Sequence, residues 1–211
     1  MRPSSLRYCR MNMIFLYLLW LFILSITSFA EATDSGQKDR DVQRALFKAS
    51  YTEDLPTISQ ALKDGADIDF RDPDSGQTVL MRSVLTGKIE SVRFLLQAGA
   101  DPTIPEKDGY LPPHGAGFQG RPEIMKILHE SGINVHMYHE DGYLPFHRAC
   151  WGNREGHTET IRYLLEIGTD VNVKSTKDQK TCMEITKNAA TQAVLQEYGA
   201  RGTVNKASDE L

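Results

Sequence analysis

The sequence predicts a mainly α-helical solenoid in which short helix-turn-helix units stack side by side. The first observation is an internal repeat: residues 107–114 read KDGYLPPH and residues 140–147 read EDGYLPFH, an offset of 33 residues with six identities in eight positions. The second is an amphipathic stretch that follows each of these segments and ends at a glycine. Self-similarity at a fixed period of roughly 20–50 residues is typical of repeat architectures.

The repeat extends in both directions from these two segments. An earlier segment, residues 74–81, reads DSGQTVLM and stands about one period before the first of them. A degenerate copy precedes it and a shortened copy follows the last, so the sequence predicts five consecutive copies. The amphipathic stretches of the five copies end at the following glycines: Gly65, Gly99, Gly132, Gly168 and Gly199.

Each element of a copy has a local physical reason. Pro112 and Pro145 preset the backbone of a first helical turn, where their missing N–H group has no partner in any helix. The closing glycines supply the left-handed conformation that commonly ends a helix. Ile124, Ile127 and Leu128 recur at helical spacing and form a face that one copy cannot bury alone. Stacking of neighbouring copies is therefore expected to complete the core.

These residues resemble the ankyrin repeat, with its D-G-x-T-P-L-H start, glycine turn, second apolar helix and G-A-D-x-N end. Departures from the pattern are Leu111 and Leu144 in place of threonine, and three extra residues within 151–155. The resemblance implies antiparallel helix pairs, with hairpin-like loops around residues 70–77, 103–110, 136–143 and 173–180. It covers an ankyrin domain at about residues 39–202, with copies at about 41–73, 74–106, 107–139, 140–176 and 177–202.

The first thirty residues have the order of a secretory signal. Arg2, Arg7 and Arg10 precede an apolar run at residues 13–24, which declines into serine and threonine before Ala30. We expect cleavage after Ala30. The alternative is an uncleaved membrane anchor, because residues 13–30 reach about the minimum length that spans a membrane. Residues 31–38 are then expected to be a flexible linker.

The other end of the chain reads Ser208-Asp209-Glu210-Leu211. This tetrapeptide resembles the receptor-read retrieval signals of the Lys-Asp-Glu-Leu kind and departs from them only at Ser208. Together with the amino-terminal signal it predicts residence in the lumen of the endoplasmic reticulum, at the end of a flexible tail at residues 203–211. The alternatives are a secreted protein whose terminal leucine is incidental, and a membrane-tethered lumenal scaffold.

Charge and motifs exclude several function classes. Without residues 1–30 the chain has 21 basic and 28 acidic side chains, and this acidic balance argues against nucleic acid as the main partner. The chain has no G-x-S-x-G elbow, no phosphate-binding G-x-x-x-x-G-K-[ST] loop and no H-E-x-x-H helix. We therefore expect a non-enzymatic protein with no catalytic residue, no cofactor and no resident metal.

Histidines are the obvious candidates for a reaction centre, but the resemblance gives three of them a structural role. His114 and His147 stand where the family ties neighbouring hairpins together by hydrogen bonds, and His157 follows the glycine between two helices. The alternatives that the sequence leaves open are a metal shared by His147 and Cys150, and an opportunistic metal site at His136 and His139.

Cys150 and Cys182 pose the question of a disulfide, since an oxidising lumen would favour one. In repeat register the two residues differ by five positions, about 7.5 Å along parallel helices that lie roughly 8–10 Å apart. The expected Cα separation is about 11–12 Å, beyond the limit of roughly 7 Å for a disulfide. The sequence therefore predicts two free thiols.

The residues that the repeat does not explain predict a partner surface. We take Leu46, Leu80, Pro113 and Phe146 as reference positions of the first four copies. Five places after the reference stand Tyr51, Leu85, Phe118 and Trp151, and three places before it stand Gln43, Gln77, Tyr110 and Tyr143. The resemblance implies that both positions face partners, on the concave side and on the hairpins.

Aromatic anchors with a polar rim are typical of interface hot spots. The sequence therefore predicts a protein–protein interaction module that binds an unknown protein partner. The alternative for two of these residues is that Phe118 and Trp151 pack inward. The predicted partner-binding residues are Gln77, Leu85, Tyr110, Phe118, Tyr143 and Trp151.

Overall fold

The computed structural model describes residues 37–201, together with Tyr17 and Trp20. The predicted signal, the retrieval tetrapeptide and most of the predicted linker lie outside the described residues. All regular secondary structure within 37–201 is helical. The helices are α1 (residues 37–52), α2 (Leu55–Lys63), α3 (Val79–Thr86), α4 (Ile89–Gln97), α5 (Pro112–Gln119), α6 (Pro122–Glu130), α7 (Pro145–Cys150), α8 (Glu155–Glu166), α9 (Cys182–Ile185) and α10 (Ala189–Glu197).

The helices form two stacked layers. Within a copy, a first helix packs on a second helix, as in the pairs α3 with α4, α5 with α6 and α7 with α8. Between copies, first helix packs on first helix (α3, α5, α7, α9) and second helix packs on second helix (α2, α4, α6, α8, α10). The predicted mainly α-helical solenoid is confirmed.

The core lies between the two layers and between neighbouring copies. Equivalent leucines of successive second helices are fully buried: Leu95, Leu128, Leu164 and Leu195. The reference residues of the first helices, among them Leu46, Leu80 and Phe146, are buried against them. One copy contributes only half of each contact, so stability arises from stacking rather than from any single helix pair.

Hairpin-like turns project between the copies, as the resemblance implies. Each is closed by a backbone hydrogen bond: Asp72 N–H donates to Gln77 O, Glu106 to Tyr110, His139 to Tyr143 and Ser175 to Lys180, at 2.9–3.0 Å. Neighbouring turns are also linked, because Lys107 N–H donates to Ser75 O (3.2 Å) and Thr176 N–H donates to Gly142 O (2.9 Å). The second and third turns are linked by His139, whose Nε2–H donates to Asp108 O (3.0 Å), so the four turns form one continuous edge.

Two of the three structural histidines link a first helix to the next hairpin, and the third links two neighbouring copies. The Nε2 of His114 lies 2.9 Å from Met137 O, that of His147 lies 3.2 Å from Val173 O, and that of His157 lies 3.0 Å from Phe118 O. All three side chains are buried. Burial lowers the pKa of His114 to about 4, so its ring is neutral at physiological pH and Nε2–H donates to the carbonyl.

The prediction of free thiols is wrong. Cys150 and Cys182 form a disulfide with a Cα separation of 5.5 Å, half of the expected distance. The register estimate placed neighbouring first helices level with one another, whereas they are shifted along their axes. The same shift brings Gly117 against Pro145, where a Cβ atom on Gly117 would lie 2.3 Å from the Pro145 carbonyl oxygen. Met183 is the equivalent reference residue of the fifth copy. In both pairs, a residue four places after the reference residue of its copy therefore contacts the residue one place before the reference residue of the next copy.

Removal of this disulfide should lower stability considerably. The bond spans 32 residues of chain and links α7 to α9, a helix of only four residues in the shortened last copy. Replacing both cysteines by alanine should lower the free energy of unfolding by about 3 kcal/mol, measured by urea denaturation. Dithiothreitol should lower the wild-type value similarly and leave the double variant unchanged. Peptide mapping without reduction that found both thiols free would contradict the pairing.

Candidate protein-binding surface

Four side chains at the ends of the first helices form a series, which we call the apolar row: Tyr51, Leu85, Phe118 and Trp151. Phe118 is 55% exposed and Trp151 is 44% exposed, and Tyr51 is exposed as well. Leu85 is half-buried. Large exposed rings in line on a charged surface are typical of an interaction site.

In two residues of the apolar row, Leu85 and Phe118, the backbone carbonyl is held by a donor from the next copy. Arg121 Nη2 donates to Leu85 O (3.4 Å) and His157 Nε2 donates to Phe118 O (3.0 Å). These donors satisfy carbonyls at the ends of α3 and α5, which have no partner within their own helix. The contact at Tyr51 is different. Lys88, which stands at the repeat position of Arg121, places its Nζ 4.6 Å from the centroid of the Tyr51 ring.

The predicted hairpin residues are less accessible than the apolar row. Tyr143 is only 9% exposed, and its hydroxyl donates to Asp178 Oδ2 (3.1 Å). Tyr110 is half-buried and donates to Asp141 Oδ2 (3.1 Å). Burial raises the pKa of both tyrosines, so their hydroxyls stay protonated donors. Tyr143 is therefore part of the packed interior that supports the site, whereas Tyr110 is partly exposed at the surface of the site.

Arg148 joins these rings into one cluster, and sequence reasoning missed it. Its guanidinium carbon lies 4.6 Å from the Tyr110 centroid, 5.3 Å from that of Tyr143 and 4.8 Å from that of Trp151. The side chain is buried, donates to the Tyr110 hydroxyl (3.0 Å) and forms an ion pair with Asp141. Cations over aromatic faces stabilise such clusters, so Arg148 holds Trp151 in place from one side.

The pKa of Asp141 is set by its neighbours in this cluster. Burial by itself would raise the pKa of Asp141, but hydrogen bonds with His139 and Arg148 outweigh it and hold the pKa at about 2. The carboxylate is therefore ionised at every physiological pH. An ionised partner for Arg148 is what a buried guanidinium requires.

The two metal alternatives find no support in the described part of the chain. Residues 37–201 contain no group of three or more histidine, cysteine or acidic side chains that could hold a metal ion. Cys150 is bound in the disulfide, which rules it out as a thiolate ligand beside His147. His139 stacks on Tyr110 with a centroid distance of 4.0 Å.

A pocket of about 400 Å³ opens beside the apolar row. Met81, Leu85 and Phe118 form its apolar walls, and Glu106 and Arg148 lie at its polar side. Gln77, the remaining predicted partner residue, donates to Glu106 Oε2 (3.4 Å) and is half-buried. The pocket is lined by Gly115 of α5, at the repeat position where α3 and α7 have arginine.

Comparison with known proteins agrees with this architecture. The family model for ankyrin repeats matches residues 17–106 and 99–175. The chain belongs to the ankyrin repeat family. Ankyrin repeats are protein–protein interaction modules and are typically non-catalytic.

Similar segments occur in much longer proteins. The chain is 38% identical over 76 residues to the Arf-GAP with coiled-coil, ANK repeat and PH domain-containing protein 2 of Rattus norvegicus, covering 36% of this chain and 10% of that protein. It is 36% identical over 67 residues to the 2-5A-dependent ribonuclease of Homo sapiens (32% and 9%). It is 37% identical over 65 residues to the ankyrin repeat and SAM domain-containing protein 6 of Rattus norvegicus (31% and 7%).

The chain thus spans a tenth or less of the length of these relatives. The ribonuclease is an enzyme, but it matches this chain only through its repeats. As to the membrane, the helices of the described residues are all too short or too polar to cross one.

The effect of alanine substitution on stability should distinguish buried supporting rings from rings exposed at the surface. Tyr143→Ala should lower the free energy of unfolding by about 3 kcal/mol, because it removes a buried ring and the hydrogen bond to Asp178. Phe118→Ala should change it by less than about 0.5 kcal/mol, because more than half of that ring is exposed. Urea denaturation of the two variants checks this. Equal losses would mean that Phe118 also belongs to the core.

Proposed function

We propose that this ankyrin-repeat chain is a non-catalytic adaptor that binds a protein partner through the apolar row and the neighbouring hairpin edge. The observation that supports this most directly is the exposure of Phe118 and Trp151 beside an apolar pocket. Exposed rings next to a concavity are the usual composition of a hot spot, in which a few buried side chains dominate affinity.

The rigidity of the surface favours binding. The backbone of Leu85 and Phe118 is held by donors from the next copy, and Trp151 rests on the buried Arg148. A surface that is ordered before binding loses little conformational entropy when the partner arrives. A stacked array also presents an extended face, which suits an extended or helical segment of a partner.

We propose the lumen of the endoplasmic reticulum as the site of action. The signal-like residues 1–30 and the retrieval-like residues 208–211 support it. The Cys150–Cys182 disulfide adds independent support, because disulfides form and persist in oxidising compartments and are rare in the cytosol. A secreted protein with an extracellular partner is the second candidate, which Ser208 favours because retrieval signals of this kind begin with lysine or histidine.

Proximity labelling in cells tests the binding proposal. A biotin ligase is inserted between residues 36 and 37, so that the carboxyl terminus stays native. The double variant Phe118→Ala/Trp151→Ala should lose at least about tenfold in labelling of specific partners, as expected for hot-spot side chains. Tyr198→Ala is the matched control, because it removes another exposed ring, at the end of α10. Partners retained by the double variant would refute binding through the apolar row.

A second arm of this experiment tests the compartment. Two residues added after Leu211 should release the chain into the medium, because the retrieval receptor reads a free terminal tetrapeptide. If the native and the extended chain are secreted equally, residence in the endoplasmic reticulum is wrong and the secreted alternative stands.

A further inference from the structure

We propose that the pocket beside Gly115 is a binding slot for an arginine side chain of the partner. The inference rests on the proposed binding function and adds the chemistry that the partner must present. It comes from a comparison of three copies within this chain, of which two fill the equivalent position with an arginine of their own.

The two filled positions share one arrangement. Arg82 stands two places after its reference residue, with its guanidinium carbon 5.0 Å from the Phe47 centroid and its Nη2 3.8 Å from Asp72 Oδ2. Arg148 stands two places after its own reference, 4.6 Å from the Tyr110 centroid, and is paired with Asp141. In both, the arginine contacts an aromatic ring of the preceding copy and a carboxylate of the hairpin in front of its own helix.

The third copy also has a carboxylate in the hairpin in front of its first helix, at a different repeat position, but it lacks the arginine. Gly115 occupies the arginine position in α5, and the hairpin in front of α5 provides Glu106. Glu106 accepts a long hydrogen bond from Gln77 Nε2 (3.4 Å), and within residues 37–201 no ion pair involves it. The half-buried carboxylate therefore faces the pocket without an ion-pair partner among the described residues.

The remaining charges around the pocket cancel. Arg148 lines the pocket but is neutralised by Asp141. His114 also lines it and is uncharged, because burial lowers its pKa to about 4. The net charge that the pocket presents is that of Glu106, so it favours a cation.

Arginine fits this environment better than lysine. Its aliphatic stem can pack on Met81 and Leu85, while the planar guanidinium can lie on an aromatic face and donate two hydrogen bonds to a carboxylate. Arg82 and Arg148 each combine a ring contact with a single ion-pair contact to a carboxylate within the chain. An ammonium group makes neither the stacked nor the bidentate contact.

A titration with N-acetyl-arginine amide tests the slot directly. The full chain is labelled with ¹³C on its methionine methyl groups; Met81 lines the pocket, and Met125, buried on α6, is an internal reference. The Met81 signal should shift saturably with the probe while the Met125 signal stays in place. N-acetyl-citrulline amide, which has the same shape without the charge, should bind at least about fivefold more weakly.

Substitutions at Glu106 and Gly115 test whether these residues account for binding of the arginine probe. Glu106→Gln should lower the affinity for N-acetyl-arginine amide at least about fivefold. Glu140→Gln, which removes a carboxylate at the next hairpin tip, is the matched control and should leave that affinity unchanged. Gly115→Arg supplies the missing arginine within the chain, so the Met81 response should disappear.

Three results would overturn the slot: no Met81 shift at the highest soluble probe concentration, equal binding of the citrulline probe, or unchanged binding to Glu106→Gln. These outcomes are separate from those of the labelling experiment. If Phe118→Ala/Trp151→Ala loses its partners but Met81 does not respond, the adaptor function stands and the arginine slot is wrong. If Met81 responds but labelling is unaffected, the slot stands and binding through the apolar row is wrong.

Discussion

The structure depends on the close, axially shifted packing of successive first helices. Where α5 meets α7, no side chain separates the helices, because Gly117 lies directly against the Pro145 carbonyl. The same shift places Cys150 against Cys182 one copy later, where a disulfide fixes the contact covalently. Since each copy buries its apolar face only on its neighbours, this packing determines both the stability of the array and the shape of its surface.

The binding surface follows from this packing. Shifted stacking brings Arg121 and His157 within reach of carbonyls at the ends of the preceding first helices. Those donors satisfy the backbone, so Leu85 and Phe118 are free to face outward. The binding surface is therefore a direct consequence of how the copies pack. Its apolar side chains stand where neighbouring copies complete each other's helix ends, and its pocket stands where one copy has a glycine in place of an arginine.

Much of the fold could be predicted from the sequence, because helix position, turn position and buried face depend on patterns within one copy. The period located the helices, and the prolines and closing glycines located their ends. The disulfide could not be predicted in this way. Periodicity gives spacing along the chain but says nothing about the translation of one helix past the next, so the expected distance between Cys150 and Cys182 was twice the observed one.

The site was predictable in part for the same reason. Phe118 and Trp151 are exposed as the alignment of copies indicated, whereas the burial of Tyr143 depends on Asp178 and Arg148, which come from other parts of the repeat. A signal for Arg148 was present in the sequence. Arg82 and Arg148 share one repeat position, and the glycine between them in the series marks the pocket.

Alanine substitution at two glycines of α5 tests the shifted packing most directly. Both changes gain about 1 kcal/mol of helix propensity, so the neighbours decide the outcome. At Gly115 the new Cβ would meet the terminal methyl groups of the Leu85 and Met81 side chains at 3.1 Å, and at Gly117 it would lie 2.3 Å from the backbone oxygen of Pro145. Urea denaturation should find Gly115→Ala at least as stable as wild type and Gly117→Ala less stable by about 2 kcal/mol or more. Equal stability of the two variants would contradict the account.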